Sequence, residues 1–363
     1  MDRRAFVRTS LAAAAAGVVM NNLPGDAALP GDAANAEPTP AKLPRWRGFN
    51  LLEKFTAGHS APYVERDFAW LAEWGFDFVR LPMSYLCWSK TERPREMDEK
   101  VLAEIDQAVA FGKQHGIHVN LNLHRAPGYC VNPPAEPRSL WDDESVLEDC
   151  AFVWAALAAR YKGVQNSAVS IDLLNEPGAI PEAKYVKVVK RLVAGIHAAD
   201  PQRLIIADGL KWGNDAVHGL ADVGVAQSTR GYQPMQISHF QASWIHGSDT
   251  WPTPTWPLHP GTKDVWDKAR LKRERIAPWQ ALAAQGVGVH VGECGAFNGT
   301  PHDVVLAWFG DCLDLWKEAG WGYSLWNLRG SFGIVDSQRP DVTYEDKDGH
   351  KLDRAFLELL RAH

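Results

Sequence analysis

Cysteine is scarce, with five in 363 residues: Cys87, Cys130, Cys150, Cys294 and Cys312. None stands at C-x-x-C or another metal-ligand spacing, so neither a zinc site nor a disulfide framework is expected. One bridge stays open for an oxidising compartment, with Cys130 and Cys150 the nearest loop pair. Cys294 reads as a small packing residue, since no base accompanies it. Long runs of Lys or Arg are also missing and the formal net charge is -6. A phosphate backbone would find nothing to neutralise it, which excludes nucleic acid as a partner. The apolar, Ala-rich stretch from Leu11 to Met20 is too short to span a bilayer, and no Cys follows it, so no membrane anchor is expected.

What precedes that stretch is informative. Arg3-Arg4-Ala5-Phe6-Val7 ahead of an apolar segment, with Ala34-Asn35-Ala36 as a small-residue cleavage site, has the outline of a twin-arginine export signal over residues 1–36. Export to the periplasm or the extracellular space is the expectation. Residues 37–44 read as a Pro- and Ala-rich linker, and residues 45–363 as the catalytic body. The chain carries 16 Trp, more than a core of this size needs, and flat aromatic faces suit an uncharged ring such as a sugar.

Beyond Pro44, short apolar runs alternate with longer stretches of helical period. The runs are Arg47 to Leu51, Phe76 to Pro82, His118 to His124, Val169 to Glu176, Leu204 to Asp208, Met235 to Phe240, Val287 to Glu293 and Gly322 to Trp326. Helices are expected at Pro62 to Trp74, Asp98 to His115, Asp143 to Tyr161, Pro181 to Ala199, Asp264 to Gln285, Pro301 to Ala319 and Leu352 to Leu360. Between Gly209 and Arg230 the helical pattern is short and interrupted. Strand then helix, eight times over, predicts an α/β fold with a single (β/α)8 TIM barrel. In such a barrel the chemistry gathers at the C-terminal ends of the strands. Here those ends are polar, and Asn120, Asn122 and His124 alternate with Leu121 and Leu123 so that the polar set faces inward.

Two glutamates close apolar runs, in Asp172-Leu173-Leu174-Asn175-Glu176-Pro177 and in Val289-His290-Val291-Gly292-Glu293-Cys294-Gly295. Glutamates are seldom buried without a role. Glycoside hydrolysis asks for such a pair, one carboxyl protonated to serve the leaving oxygen and one ionised to attack the anomeric carbon. Mutual repulsion would separate their pKa values.

From about Trp46 to the C-terminus the chain resembles glycoside hydrolase family 5, the cellulase-like branch of the retaining (β/α)8 glycosidases. Asn175-Glu176-Pro177 is similar to the family's acid/base motif, and Gly292-Glu293 to its nucleophile. Arg80 in Phe78-Val79-Arg80-Leu81-Pro82, His124 in Asn122-Leu123-His124, His239 and Trp326 resemble the residues that line the reactive-sugar subsite. The resemblance implies a double-displacement hydrolase of β-linked glucosides, with β-1,4-glucan or its oligosaccharides first, β-mannan and β-1,3-glucan next, and no cofactor or metal. A metal-dependent barrel hydrolase is disfavoured because the first run ends in Asn50-Leu51-Leu52-Glu53 instead of an H-x-H pair. A non-catalytic carbohydrate-binding barrel is the reading from another class.

Residue type suggests roles. Asn175 can donate to a sugar 2-hydroxyl, Arg80 can hold Glu293 ionised, His124 and His239 can bond hydroxyls or brace the carboxylates, and Trp326 can floor the subsite. The family carries a Tyr two residues beyond its sixth-strand His, where Gln241 stands in His239-Phe240-Gln241. Either Gln241 serves as a weaker donor, or Tyr232 or Tyr323 fills the place, or this branch works differently. The loop from Trp244 to Pro260, with Trp244, His246, Trp251 and Trp256, is long for a connector and is expected to meet substrate. Ala126 to Trp141, with Tyr129 and Trp141, is read the same way, with Trp88 and Glu53 completing a cleft.

Overall fold

The structure is a computed structural model that describes residues 37–259 and 264–363. The expected export signal and Pro260 lie outside the described residues. Among the described residues no helix is long and apolar enough to cross a membrane.

Eight parallel strands form a closed ring. They are β1 (Arg47–Asn50), β2 (Phe78–Ser84), β3 (His118–Ala126), β4 (Val169–Asp172), β5 (Ile205–Asp208), β6 (Ala226–Gly231), β7 (Val289–Cys294) and β8 (Gly322–Leu325). β1 pairs with both β2 and β8, which closes the barrel. A Cβ on Gly48 would lie 1.6 Å from the Phe78 carbonyl oxygen, so the β1–β2 approach requires glycine there. Outside the ring run α1 (Glu65–Glu73), α2 (Glu99–His115), α3 (Glu144–Arg160), α4 (Glu182–Ala199), α5 (residues 268–283), α6 (His302–Ala319) and α7 (Arg354–Ala362).

The helices start and stop where local chemistry dictates. In α2 the Asp98 side chain accepts from the Lys100 amide at 2.9 Å, and Gly116 at φ 69 ends the helix in the left-handed region. Leu102, Ile105, Ala108 and Gly112 line its buried face. Asp143 caps α3 in the same way. Pro301 stands one residue outside α6, with extended backbone, and not at its first helical position.

The sixth strand departs from expectation. Met235–Ser238 is a short helix, and β6 lies earlier, at Ala226–Gly231. Its residues Gln227, Ser228, Thr229 and Arg230 are polar yet buried, so no apolar run marks them. They are held by ladder bonds to β5 and β7, and Gln227 also exchanges bonds with the Val217 main chain at 3.0 and 2.8 Å. The unit between β5 and β6 has only the short turns Leu210–Gly213 and His218–Leu220 in place of a full helix. Residues 37–44, expected to be a linker, pack on the barrel: Gly288 donates to the Pro40 carbonyl at 2.7 Å, and Leu43 lies against Trp46, Phe78 and Leu204. All five cysteines are free, so Cys130 and Cys150 do not form the bridge left open above; Cys150 is buried within α3.

Two histidines fill the end of the barrel opposite the polar strand ends. His118 stacks on Trp46 at 3.7 Å and contacts Ser170 Oγ at 2.7 Å, and neither ring nitrogen of buried His290 has a protein partner. Burial lowers both to about 3. The folded state therefore favours their neutral forms: this stability is complete above the ordinary value near 6.5 and is lost as pH falls toward 3. Below pH 6.5 the unfolding free energy from urea titration should fall, by about 1.4 kcal/mol per pH unit for each histidine. His290→Leu should flatten that slope; a slope as steep as the parent's would refute the assignment.

Candidate active site

Arg80, 1% exposed, organises the mouth from β2. Its Nε donates to Asp172 Oδ2 at 2.8 Å, Nη1 to Glu293 Oε1 at 2.7 Å and to Asn50 Oδ1 at 3.1 Å, and Nη2 to Asn175 Oδ1 at 2.8 Å. Asn50 is fixed in turn by bonds from its Nδ2 to the carbonyls of Gly292, Ser324 and Leu325. Burial, then the Asp208 charge, push Asp172 up to about 7 against the pull of Arg80.

Glu293 is 4% exposed. The ladder between β6 and β7 shifts register so that Arg230 faces Glu293 directly and Gly292 is passed over. Such a bulge re-aims the side chain that follows it. Besides Arg80, Glu293 receives the Tyr232 hydroxyl on Oε2 at 3.1 Å. Tyr232 follows β6 immediately, so of the three possibilities left open for this place the structure selects Tyr232.

Glu176 lies beyond β4 with its backbone in the left-handed region at φ 52. Its amide donates to Asp208 Oδ2 at 2.8 Å and its carbonyl accepts the Tyr129 hydroxyl at 2.6 Å, which hold that conformation. Its carboxyl accepts Arg230 Nε at 3.0 Å. Burial first, then the Glu293 charge, push Glu176 up to about 8. Asn175, with its Oδ1 on Arg80 and on Arg230 Nη2 at 3.0 Å, keeps its Nδ2 on the other side, 3.3 Å from His124 Nε2.

His124, Phe55 and Trp326 form one aromatic group, with His124 and Trp326 stacked at 5.5 Å and Phe55 edge-on to both. Burial, then Arg80, lower His124 well below its ordinary value and keep it neutral. Across the mouth, Tyr232 meets His239 at 5.1 Å and Phe332 at 6.2 Å, and Trp244 stands edge-on to Phe297 at 5.0 Å.

The residues singled out from sequence thus separate. Glu176, Glu293, Arg80, Asn175, His124 and Trp326 converge. His239 is not at a strand end; it follows the short helix, bonds Ser238 Oγ at 2.7 Å and braces Tyr232. Burial lowers it to about 4. Gln241 is exposed and sits beside Gly299, away from Glu293, because the strand it was assigned to lies elsewhere. Trp88 is 1% exposed and packs into the core, so it offers no face to a sugar. Trp244 is 57% exposed at the rim. Trp256 packs outward, its Nε1 on Asp311 at 2.8 Å.

Asp172, Asp208 and Arg230 were not anticipated. The two aspartates end apolar strands as visibly as the glutamates do, but Arg230 lies in the polar strand that carries no periodic signal. Among the described residues no three His, Cys, Asp or Glu side chains are grouped as metal ligands are.

Comparisons agree with this arrangement. The family model described as Cellulase (glycosyl hydrolase family 5) matches residues 34–331. Endoglucanase C of Acetivibrio thermocellus is 23% identical over 316 residues, covering 80% of this chain and 92% of that protein. A crystal structure described only as a glycoside hydrolase shares 40% identity with a TM-score of 0.83, over 88% of this chain and 99% of that one. Endoglucanase Cel5A from Thermotoga maritima has the same fold, with a TM-score of 0.71 at 20% identity over 87% and 96% of the two chains. The chain belongs to glycosyl hydrolase family 5 and is an O-glycosyl hydrolase.

Proposed function

We propose that the chain hydrolyses β-1,4-linked glucan and its oligosaccharides by double displacement, with Glu293 as nucleophile and Glu176 as general acid and base. One observation carries the mechanism: a single guanidinium, that of Arg230, reaches both carboxyls, at 3.0 Å for Glu176 and 3.5 Å for Glu293. Carboxyls that share one cation face a common space, as the retaining arrangement of about 5 Å requires. The environments also divide the work. Glu293 accepts bonds from Arg80 and Tyr232, which fix both of its oxygens in place for attack. Glu176 is raised to about 8 and keeps a proton to give at neutral pH.

Substrate follows from the surroundings and from relatives. The aromatic group of Phe55, His124 and Trp326 offers an apolar floor for a pyranose ring, and Asn175 Nδ2 lies against that group, 3.3 Å from His124 Nε2. The similarity to Endoglucanase C over 80% of this chain supports reading a glucan ahead of a mannan.

A product profile on cello-, manno- and laminari-oligosaccharides, with proton NMR of the first anomer formed, tests both halves. Cello-oligosaccharides should be cleaved fastest and the β-anomer should appear first. An initial α-anomer would refute the double displacement; preference for manno- or laminari-oligosaccharides would refute the substrate.

A further inference from the structure

Arg230 occupies a slot that two glycines leave open. A Cβ on Gly213 would lie 2.7 Å from its Cγ, and one on Gly292 2.9 Å from its Nη1. Inside the slot Asp208, itself fully buried, binds both Nη1, at 3.0 Å, and Nη2. Ser228 Oγ and the Thr229 carbonyl take Nη1 at 3.0 and 3.2 Å. Asp208 alone would satisfy the charge of a purely structural arginine. Nε and Nη2 are nevertheless turned to the two glutamates.

The double displacement moves one negative charge between those glutamates. In the first step a Glu293 oxygen bonds the anomeric carbon and becomes a neutral ester. The glycosidic C–O bond breaks, its electron pair leaves with the aglycone oxygen, and that oxygen takes the Glu176 proton, so Glu176 becomes the carboxylate. In the second step Glu176 takes a proton from water, the water oxygen bonds the anomeric carbon, and the ester bond breaks to return the charge to Glu293.

We propose that Arg230, with Asp208 as its counter-ion, is a positioning residue for this charge transfer: one fixed cation faces the negative charge in both of its locations, and Asp208 offsets enough of that cation for Glu176 to keep its proton at rest. This rests on the double displacement proposed above. Without Asp208, Arg230 would draw the proton off Glu176; without Arg230, the charge arriving on Glu176 would stand beside Asp208 with no cation in contact. The groups around Glu176 are few: Asp208 from β5, Arg230 from β6, Glu293 from β7, and the Tyr129 and Tyr232 hydroxyls, with Arg80 and Asp172 behind Asn175. Burial and the Glu293 charge already raise Glu176 against the pull of Arg230.

Two readouts test the proposal. The Glu176 carboxyl is titrated by carbon-13 NMR, with Glu176→Gln to assign its resonance, and kcat/KM for an aryl β-cellobioside is followed against pH. Asp208→Asn keeps an acceptor for the Glu176 amide but removes the counter-charge. Its Glu176 titration and the alkaline limb of kcat/KM should both move down by about one pH unit. Arg230→Gln with Asp208→Asn removes both charges at similar volume, and the limb should return to or above the parent's. That double variant carries the test if Asp208→Asn alone does not fold. A purely structural role would lower rates without moving either limb, and limbs unmoved in Asp208→Asn, or a double variant below the parent, would overturn the proposal. A Glu176 titration that moves in Asp208→Asn while the parent cleaves no β-glycoside would instead refute the glycosidase reading, and the charge-transfer role with it.

Discussion

Glu293→Ala should lower kcat/KM on an aryl β-cellobioside by ~10⁴-fold or more, because no other group can form the covalent intermediate. Glu293 has no substitute within reach: Glu176, across Arg230, holds the proton for the leaving oxygen, and Asp172 and Asp208 are each tied to a buried arginine. Glu176→Ala should behave differently. Loss of a general acid costs about 10²–10⁴-fold when the leaving group needs a proton and much less when it does not. A dinitrophenyl glycoside should therefore still transfer its sugar to Glu293, and turnover should stall at the second step. Added azide, which needs no general base, should restore turnover and yield a β-glycosyl azide. A Glu293→Ala protein that retains a tenth of parental activity, or an inverted azide product from Glu176→Ala, would contradict these assignments.

The second large effect is on stability. Arg80→Ala should cost about 3–5 kcal/mol, as expected when one partner of a buried ion pair is removed and the other is left without compensation. Asp172 and Arg80 are each about 1% exposed, and Asp172 would be left in the barrel interior facing the Asp208 charge without its guanidinium. Arg80→Ala with Asp172→Ala should recover part of that loss, because the orphaned charge is removed with its partner. Activity should not recover, since Glu293 and Asn175 still lack the guanidinium that positions them. Urea unfolding of the single and double variants measures this, and a single variant within about 1 kcal/mol of the parent would refute it.

Much of the site was legible because two kinds of signal coincide at strand ends. Glu176 and Glu293 are charged residues that close apolar runs, and a barrel brings such positions to one mouth. Arg80, His124 and Trp326 share that logic. Strand six broke it. Ala226–Gly231 faces the interior with Ser228 and Arg230, and its stability comes from ladder bonds to β5 and β7, which no local pattern announces. A strand expected at Met235 shifts only the residues tied to it: His239 moves to the strand end, Gln241 falls beside Glu293, and Tyr232, the residue that reaches Glu293, becomes one of several possibilities. Trp88 failed for another reason. An indole in a loop near the mouth is as apt to pack as to face solvent, and only burial distinguishes the two.

The amino-acid sequence by itself determined the barrel and marked out Glu176 and Glu293 at its strand ends, because helical and strand periods are local and a charged residue at the end of an apolar run is visible without its neighbours. Tertiary structure decided which cation stands between those glutamates and which hydroxyl supports Glu293. Both depend on the register between strands distant in sequence, where a one-residue shift turns a side chain from the inside of the barrel to the outside. The bulge at Gly292 and the slot beside Gly213 decide that Arg230 points inward, between Glu176 and Glu293.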